Sequence, residues 1–287
     1  MIQEGSFKML KQKNKSLKPS KLKRRFIFLS ILILLLLFVS LFASYLTPND
    51  PYATDSIAVR QAPGGLYPLG TDIYGRCVLS RVMMGARTSI FATLALIFLS
   101  GIIGTALGLI AGYYGGPWDS FLMRLGDVFL SVPQMVLAIA VAGILGGGMS
   151  NAMLALGFSN WILYARLAKS ATASLVKEDF IRAARLSASS DFKIMVSHIL
   201  PNIAGPLAVN ASIQMGTMLI GFAGLSFLGL GVQAPEAEWG SMISEARGYL
   251  QLAPWAVLAP GAAIVLTTMI FNLYGDTVRD LLEVKES

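Results

Sequence analysis

Five long stretches of this chain contain no Asp, Glu, Lys or Arg, and this feature limits its fold more than any other. They are residues 26–46, 88–114, 128–147, 203–230 and 253–275. A helix needs about 20 apolar residues to cross a bilayer, and each stretch is long enough. A sixth segment, residues 151–175, is interrupted by Arg166 and Lys169, whose side chains are expected to snorkel to the membrane surface. The sequence therefore predicts an all-α integral membrane protein with six transmembrane helices.

The composition supports this class and disfavours several functions. The chain is 55% hydrophobic and 14% charged, whereas a soluble domain carries about 25% charged residues. Cys77 is the only cysteine and His198 the only histidine, so a disulfide within the chain is excluded and a structural zinc or haem site is disfavoured. An intramembrane hydrolase needs a nucleophile and a base at one depth, and His198 lies in a polar loop. We predict neither catalysis nor a metal site.

The charges predict an orientation. Residues 1–25 are rich in Lys and Arg, with Glu4 as the only acid, and they directly precede the first apolar stretch. Such a run favours a cytoplasmic anchor over a nucleic-acid arm, and the apolar stretch is too long for a cleaved signal peptide. The predicted organisation is a basic cytoplasmic arm (1–25), a first span (26–46), an extracytoplasmic segment (47–87), a core (88–275) with a cytoplasmic loop (176–202), and a cytoplasmic tail (276–287).

Polar side chains inside the spans indicate a transport path. The candidates are Gln134, Asn160, Asn210, Gln214 and Asn272. The spans offer no carboxylate for a proton relay, and the chain lacks the GxxxxGK[ST] loop that cradles nucleotide phosphates. Energy for uphill transport would therefore arrive from another protein through a cytoplasmic contact. The alternative is a stand-alone secondary carrier or channel that ATP does not drive.

The stretch DFIRAARLSASSDFKIMVSHILPN, residues 179–202, is the longest cytoplasmic segment between spans in this topology. Phe180, Ile181 and Ala184 are expected to share one helix face, with Arg182 and Arg185 on another. Ser189, Ser190 or Asp191 would cap a second short helix. The stretch is either a docking element for a partner or an amphipathic loop at the lipid headgroups.

Three separated blocks resemble the inner-membrane permeases of ABC importers in the dipeptide, oligopeptide and nickel group. AARLSASSD…HILPN (residues 183–202) is similar to the EAA loop, whose coupling helix fits a groove on the ATPase. YPLGTDIYGRCVLSRVMMGAR (67–87) resembles the LGTDxxGRDxxSRxxxGAR pattern before the second span. GLSFLGLGVQAPEAEWGSMI, PWAVLAPG and FNLYGDTVRDLLE (224–283) resemble the C-terminal third.

The resemblance implies a type I importer permease fold in the bacterial inner membrane. A second homologous permease subunit would share the path, two ATPase subunits would bind below, and an extracytoplasmic binding protein would deliver the cargo. This chain would bind no cofactor, since ATP and magnesium belong to the ATPases. The residues implied in ATPase coupling are Ile181, Ala183, Ala184, Arg185, Ala188, Ser190 and Asp191.

Three positions depart from the family pattern, and the cargo stays open. Ala188 replaces the usual glycine of the EAA loop, Arg182 replaces its glutamate, and Cys77 replaces the aspartate of the GRD sequence. Peptides are the commonest cargo of this group. The sequence RAARLSASS and the block APEAEWGSMISEAR (234–247) look closer to the nickel branch, so the sequence favours nickel or a nickel chelate slightly over di- and oligopeptides.

Overall fold

The computed structural model describes residues 19–286, and helices dominate this part of the chain. Their bounds are α1 Pro19–Leu41, α2 Ala43–Leu46, α3 Val78–Tyr114, α4 Gly116–Leu130, α5 Gln134–Leu145, α6 Met149–Leu175, α7 Asp179–Leu186, α8 Asp191–Phe227, α9 Trp239–Ala246 and α10 Pro254–Glu286. Between residues 19 and 286, the isolated β-bridges join Gly64 to Tyr67 and Thr71 to Cys77. The predicted all-α class is confirmed.

The first helix starts inside the predicted basic arm. Residues 1–18 of that arm lie outside the described part of the chain, whereas the segment from Pro19 onward is already helical. Proline suits a first helical position, because its missing N–H would have no partner there. The helix ends at Leu41, and the short α2 carries the chain to Leu46. The predicted helix over residues 26–46 is therefore broken at Phe42.

Helix α3 begins ten residues before the predicted span, at Val78 rather than at residue 88. The sequence-based boundary avoided Arg81 and Arg87, because an unpaired cation is costly within a membrane. In the structure Arg81 is 1% exposed and lies 3.7 Å from carboxylate oxygens of both Asp72 and Glu245. These carboxylates belong to the cap, the name used below for residues 47–77 and 228–253, which close this end of the helices. The paired charge allows the helix to continue.

The predicted single span over residues 128–147 is wrong. Helix α4 ends at Leu130, α5 begins at Gln134, and the two axes meet at 88°. Pro133 supplies the reason, because proline cannot donate the helical hydrogen bond and disfavours a helical conformation at the preceding residue. By length and composition, four helices of residues 19–286 could cross a membrane, or five when α4 and α5 count as one broken span.

The fourth predicted span is one continuous helix, α6, and its two cations have partners. Arg166 forms an ion pair with Asp127, and Lys169 Nζ lies 2.9 Å from Asp119 Oδ1. Both carboxylates stand on α4. The sequence predicts that both cations extend to the membrane surface. In the structure their ion pairs attach α4 to α6.

A stripe of glycines brings α3 and α6 into backbone contact. A Cβ atom built on Gly104 would lie 2.1 Å from the carbonyl oxygen of Trp161, and one built on Gly108 would lie 2.2 Å from that of Ala165. No real side chain tolerates such distances, so only glycine permits this approach. The two glycines are four residues apart and so lie on one face of α3, where their small size allows α6 to pack closely.

Candidate coupling surface and translocation residues

Residues 176–202, called the coupling segment below, form two helices joined by a tight turn. Helix α7 covers Asp179–Leu186, and α8 begins at Asp191 after the turn 187–190. Ser190 is the N-cap of α8, because its Oγ accepts a hydrogen bond from the backbone N–H of Lys193 at 3.4 Å. Of the three predicted capping candidates, Ser190 takes the role.

The structure places Ile181 inside the protein and not on an outward docking face. Its side chain is fully buried against Leu109 and Tyr113 of α3 and Ile194 and Ile199 of α8. Ala184 packs partly against the same cluster, whereas the Phe180 side chain is exposed. Phe180, Ile181 and Ala184 therefore do not share one face, contrary to the prediction. Ile181 therefore anchors α7 to the helix bundle.

The outward face of the coupling segment carries the remaining predicted coupling residues. Ala183, Arg185, Ala188, Ser190 and Asp191 are all exposed. Two large apolar side chains that the sequence reasoning missed stand beside them, Leu186 at 89% and Phe192 at 73% exposure. We call Ala183, Arg185, Leu186, Ala188 and Phe192 the coupling surface.

Arg182 is exposed next to the coupling surface. Its guanidinium donates to Asp179 Oδ1 at 3.2 Å, one helical turn earlier. Both side chains are well solvated, so this pair contributes little to stability. The basic side chain at the position of the family's glutamate is thus held only weakly.

Asp191 ties the coupling segment to the end of α3. Tyr113 Oη donates to Asp191 Oδ1 at 2.6 Å, and Tyr114 Oη donates to Asp191 Oδ2 at 3.3 Å. The Arg185 guanidinium stacks over the Tyr113 ring, 5.2 Å from its centroid. No local sequence pattern predicts this contact, because residues 113 and 191 are far apart in the chain.

The turn between the two short helices has a left-handed residue. Ala188 has a φ of +55°, which places it in the region that glycine adopts without cost. The backbone N–H of Ser189 donates to the carbonyl of Ala184 at 3.2 Å, closing the C-terminal end of α7. The family's glycine at this position has a clear physical reason, and the alanine here carries a strain of about 1–2 kcal/mol.

The predicted path residues do not form one group. Gln214 of α8 donates to Asn160 Oδ1 of α6 at 2.9 Å, and both side chains are buried. Gln134 of α5 lies beside the next turn of α8, with its amide nitrogen 3.9 Å from Met218 Sδ. Asn210 precedes Gln214 by one turn and is half-buried.

Asn272 lies apart from this row. It is exposed, and its amide oxygen lies beside Gly216, on a different face of α8 from Gln214. The Asn160 amide nitrogen is buried without a hydrogen-bond partner among the described residues. Such an orphaned donor is costly where it stands, so it is available to a hydrogen-bond acceptor if the helices separate.

The cap is held by a buried network of charges. Arg76 Nε lies 2.6 Å from Asp72 Oδ2, and Arg76 Nη2 lies 2.5 Å from Glu245 Oε2. Cys77, at the position of the family's aspartate, is the N-cap residue of α3, and its side chain makes no capping hydrogen bond. Arg81 belongs to the same network and also donates a hydrogen bond to the carbonyl oxygen of Pro235 at 3.2 Å.

Glu238 is the most buried acid of the cap. Its two carboxylate oxygens accept from the backbone N–H groups of Gly240 at 2.9 Å and Ser241 at 2.8 Å, which caps α9. Ser89 Oγ donates to the same carboxylate at 3.1 Å. Burial raises the pKa of Glu238, although these hydrogen bonds to the ionised form oppose the rise. Glu238 was not among the predicted site residues.

Comparison with known proteins agrees with this geometry. Residues 104–286 match the family described as binding-protein-dependent transport system inner membrane component. The chain is 40% identical to the dipeptide transport system permease protein DppC of Alkalihalophilus pseudofirmus, over 89% of this chain and 84% of that protein.

Two further relatives carry other cargo names. The nickel transport system permease protein NikC of Escherichia coli K12 is 38% identical, over 88% of this chain and 91% of that protein. The glutathione transport system permease protein GsiD of Pectobacterium atrosepticum is 40% identical, over 89% and 85%.

Among solved structures, the inward-facing MetNI methionine ABC transporter resembles this fold. The TM-score is 0.50 at 22% identity, covering 67% of this chain and 94% of the matched chain. That likeness concerns the arrangement of helices alone. Together with the family match and the relatives, it assigns the fold as that of a type I importer permease, and the chain belongs to the binding-protein-dependent inner-membrane components, in the group of ABC importer permeases that includes the dipeptide and nickel systems.

Proposed function

We propose that this chain is one of two homologous permease subunits around a shared path, with one of the importer's two ATPase subunits against its coupling surface and a binding protein against its cap. Its membership of the family makes it a transport subunit of an ATP-driven importer. The proposal adds the partners, their number and the side on which each docks. The coupling segment would face the cytoplasm, in keeping with its excess of Lys and Arg.

The observation that carries the proposal is the exposure of Leu186 and Phe192. Both side chains project from the end of the bundle that holds the coupling segment, at 89% and 73% exposure. Large exposed apolar side chains beside a cation are typical of a surface that a partner covers. Arg185 supplies that cation, and the small side chain of Ala183 permits close approach.

Internal contacts connect the coupling surface to the long helices of the bundle. A push on α7 reaches α3 through the buried side chain of Ile181 and through the hydrogen bond between Tyr113 and Asp191. Because the glycine stripe locks α3 to α6, both helices would move as one body. Binding and hydrolysis of ATP on the partners would drive this rigid-body movement and open the path alternately to each side.

A charge on the coupling surface tests the proposal. Leu186→Glu should abolish ATP-driven uptake in cells that contain the complete importer, while the amount of this chain in the membrane stays the same. Leu186 suits this test better than Ala184, because Ala184 packs partly inside the protein and its substitution would disturb folding. Leu186→Met is the matched control, since it keeps an exposed apolar side chain at the same position and adds no charge. Full uptake by Leu186→Glu would contradict the proposal.

The cargo follows from two signals of unequal weight. Sequence blocks in the coupling segment and the cap look closer to the nickel branch, whereas a cavity beside the cap has the charges for a peptide. The nickel-like block of the cap (234–247) includes Glu236, which lines this cavity, so that block alone does not choose between the two cargoes. Because Arg87 lines the same cavity and would repel a bare cation, we take a short peptide as the cargo.

A further inference from the structure

A cavity of about 680 Å³ lies where the cap meets the ends of α1, α3 and α6. Its apolar wall includes Leu41, Phe91, Met149 and Met153. Pockets that hold small ligands measure about 300–1,000 Å³ and combine an apolar lining with a few polar groups. Methionine side chains adapt to ligands of different shape. The space therefore suits a small molecule with an apolar part, and we call it the cap cavity.

Two opposite charges line the cap cavity without neutralising each other. Arg87 Nη1 donates to Ser44 Oγ at 3.1 Å, and no carboxylate of residues 20–282 lies within 4 Å of its guanidinium nitrogens. Glu236 accepts a long hydrogen bond of 3.5 Å from Tyr52 Oη and likewise has no ion-pair partner in that range. Both side chains are exposed to the cavity and the solvent.

Two neighbouring arginines, by contrast, are neutralised by carboxylates of the cap. Arg76 and Arg81 share the carboxylates of Asp72 and Glu245 in a compact buried network. Burial raises the pKa of Tyr52, with the charge of Glu236 adding to the rise, so the phenol remains a hydrogen-bond donor at neutral pH. The hydrogen bond from Tyr52 holds the Glu236 carboxylate at the cavity, and its charge can still pair with a cationic group of a ligand.

A cation and an anion on one cavity match a ligand that carries both charges. A carboxylate would pair with the Arg87 guanidinium, and an ammonium group would pair with Glu236. A bare divalent cation would find one carboxylate here and would be repelled by Arg87. We infer that the cap cavity binds a short zwitterionic peptide through its two termini, with an apolar side chain against the methionines. This inference rests on the proposed function, since it makes the cavity the first site of this chain at which the imported cargo binds.

Binding of charge-modified peptides to the full-length chain in lipid nanodiscs tests the inference. The probes are radiolabelled Ala-Phe, its C-terminal amide, its N-acetyl derivative and nickel chloride. The wild-type chain should bind Ala-Phe about tenfold or more tightly than either blocked form, because each blocked form loses one charge-assisted contact. Arg87→Gln should remove the preference for Ala-Phe over the amide and keep that over the acetyl derivative. Glu236→Gln should remove the preference for Ala-Phe over the acetyl derivative and keep that over the amide.

The controls separate this inference from other outcomes. Arg60→Gln removes an exposed cation of the cap that does not line the cavity, so it should bind all probes as the wild-type chain does. Absence of saturable Ala-Phe binding, equal losses for all three peptides in both variants, or nickel that displaces Ala-Phe would each overturn the inference. The assay contains no ATPase, so its failure leaves the proposed coupling function standing, and failure of Leu186→Glu to stop uptake leaves this binding result standing.

Discussion

Replacing Tyr113 by phenylalanine removes one atom from the link between the coupling segment and α3. The lost hydroxyl donates to Asp191 at 2.6 Å. This is a short hydrogen bond from a buried tyrosine to a carboxylate. Hydrogen bonds to charged groups contribute about 1.5–3 kcal/mol. Asp191 keeps the longer bond from Tyr114 and stays solvated, so we expect the lower end, about 1.5 kcal/mol.

Hydrogen exchange measures this loss directly. A local destabilisation of about 1.5 kcal/mol should raise the exchange rate of the backbone amides in residues 187–193 about tenfold. The importer should also hydrolyse ATP with less cargo moved per ATP, because the coupling segment would lose its short hydrogen bond to α3 and keep the Ile181 contact and the longer bond from Tyr114.

Tyr114→Phe is the matched control for this prediction. Tyr114 donates over 3.3 Å and its side chain is 60% exposed, so its loss should change exchange by less than threefold. Asp191→Ala combined with Tyr113→Phe should cost clearly less than the sum of the two single changes, since both remove the same contact. Equal effects of the two tyrosine substitutions, or unchanged exchange in Tyr113→Phe, would refute the assigned link.

Three further substitutions test other parts of the structure. Ala188→Gly should stabilise the turn by about 0.5–1 kcal/mol, because relief of the left-handed strain exceeds the entropy that glycine adds to the unfolded chain, and slower exchange in residues 187–190 would report it. Gly108→Val should prevent folding, since its Cβ would lie 2.2 Å from the Ala165 carbonyl, whereas Gly101→Ala should be tolerated with its nearest neighbour at 3.6 Å; thermal melting in detergent distinguishes them. Glu238→Gln should lower the melting temperature, because an amide cannot accept at both capping positions. The pKa of Glu238 is raised in the folded protein, so wild-type stability should fall as pH rises from the ordinary glutamate pKa through the raised value, and the Gln variant should lack that slope.

The apolar stretches predicted most of the helices, because a membrane requires long apolar runs whatever their neighbours are. The sequence failed where a distant side chain changed the outcome. Arg81 marked a predicted boundary, yet α3 passes through it because Asp72 and Glu245 pair with the arginine. Pro133 was visible in the sequence, and its effect on the helix over residues 128–147 was underestimated.

The candidate site was predicted in part for a similar reason. The resemblance pointed to the coupling segment, and capping chemistry offered Ser189, Ser190 or Asp191, of which Ser190 is the cap. Helical spacing alone could not show that Ile181 turns inward while Leu186 and Phe192 turn outward. That division depends on the cluster at the end of α3, which no local pattern reveals. The unpaired charges of Arg87 and Glu236 likewise become evident only when the cap cavity brings them to one space.

Site-directed cross-linking tests most directly the claim that motion enters through the coupling surface. Cysteine at position 188 or 192, in a chain with Cys77→Ser, would be joined by a short bifunctional reagent to cysteines in the groove of the ATPase partners. The account predicts efficient cross-links at both positions, with uptake stopped by the cross-link and restored by a cleavable reagent after reduction. Cargo accumulation against its gradient without any cross-link, or undiminished uptake in the cross-linked complex, would contradict it.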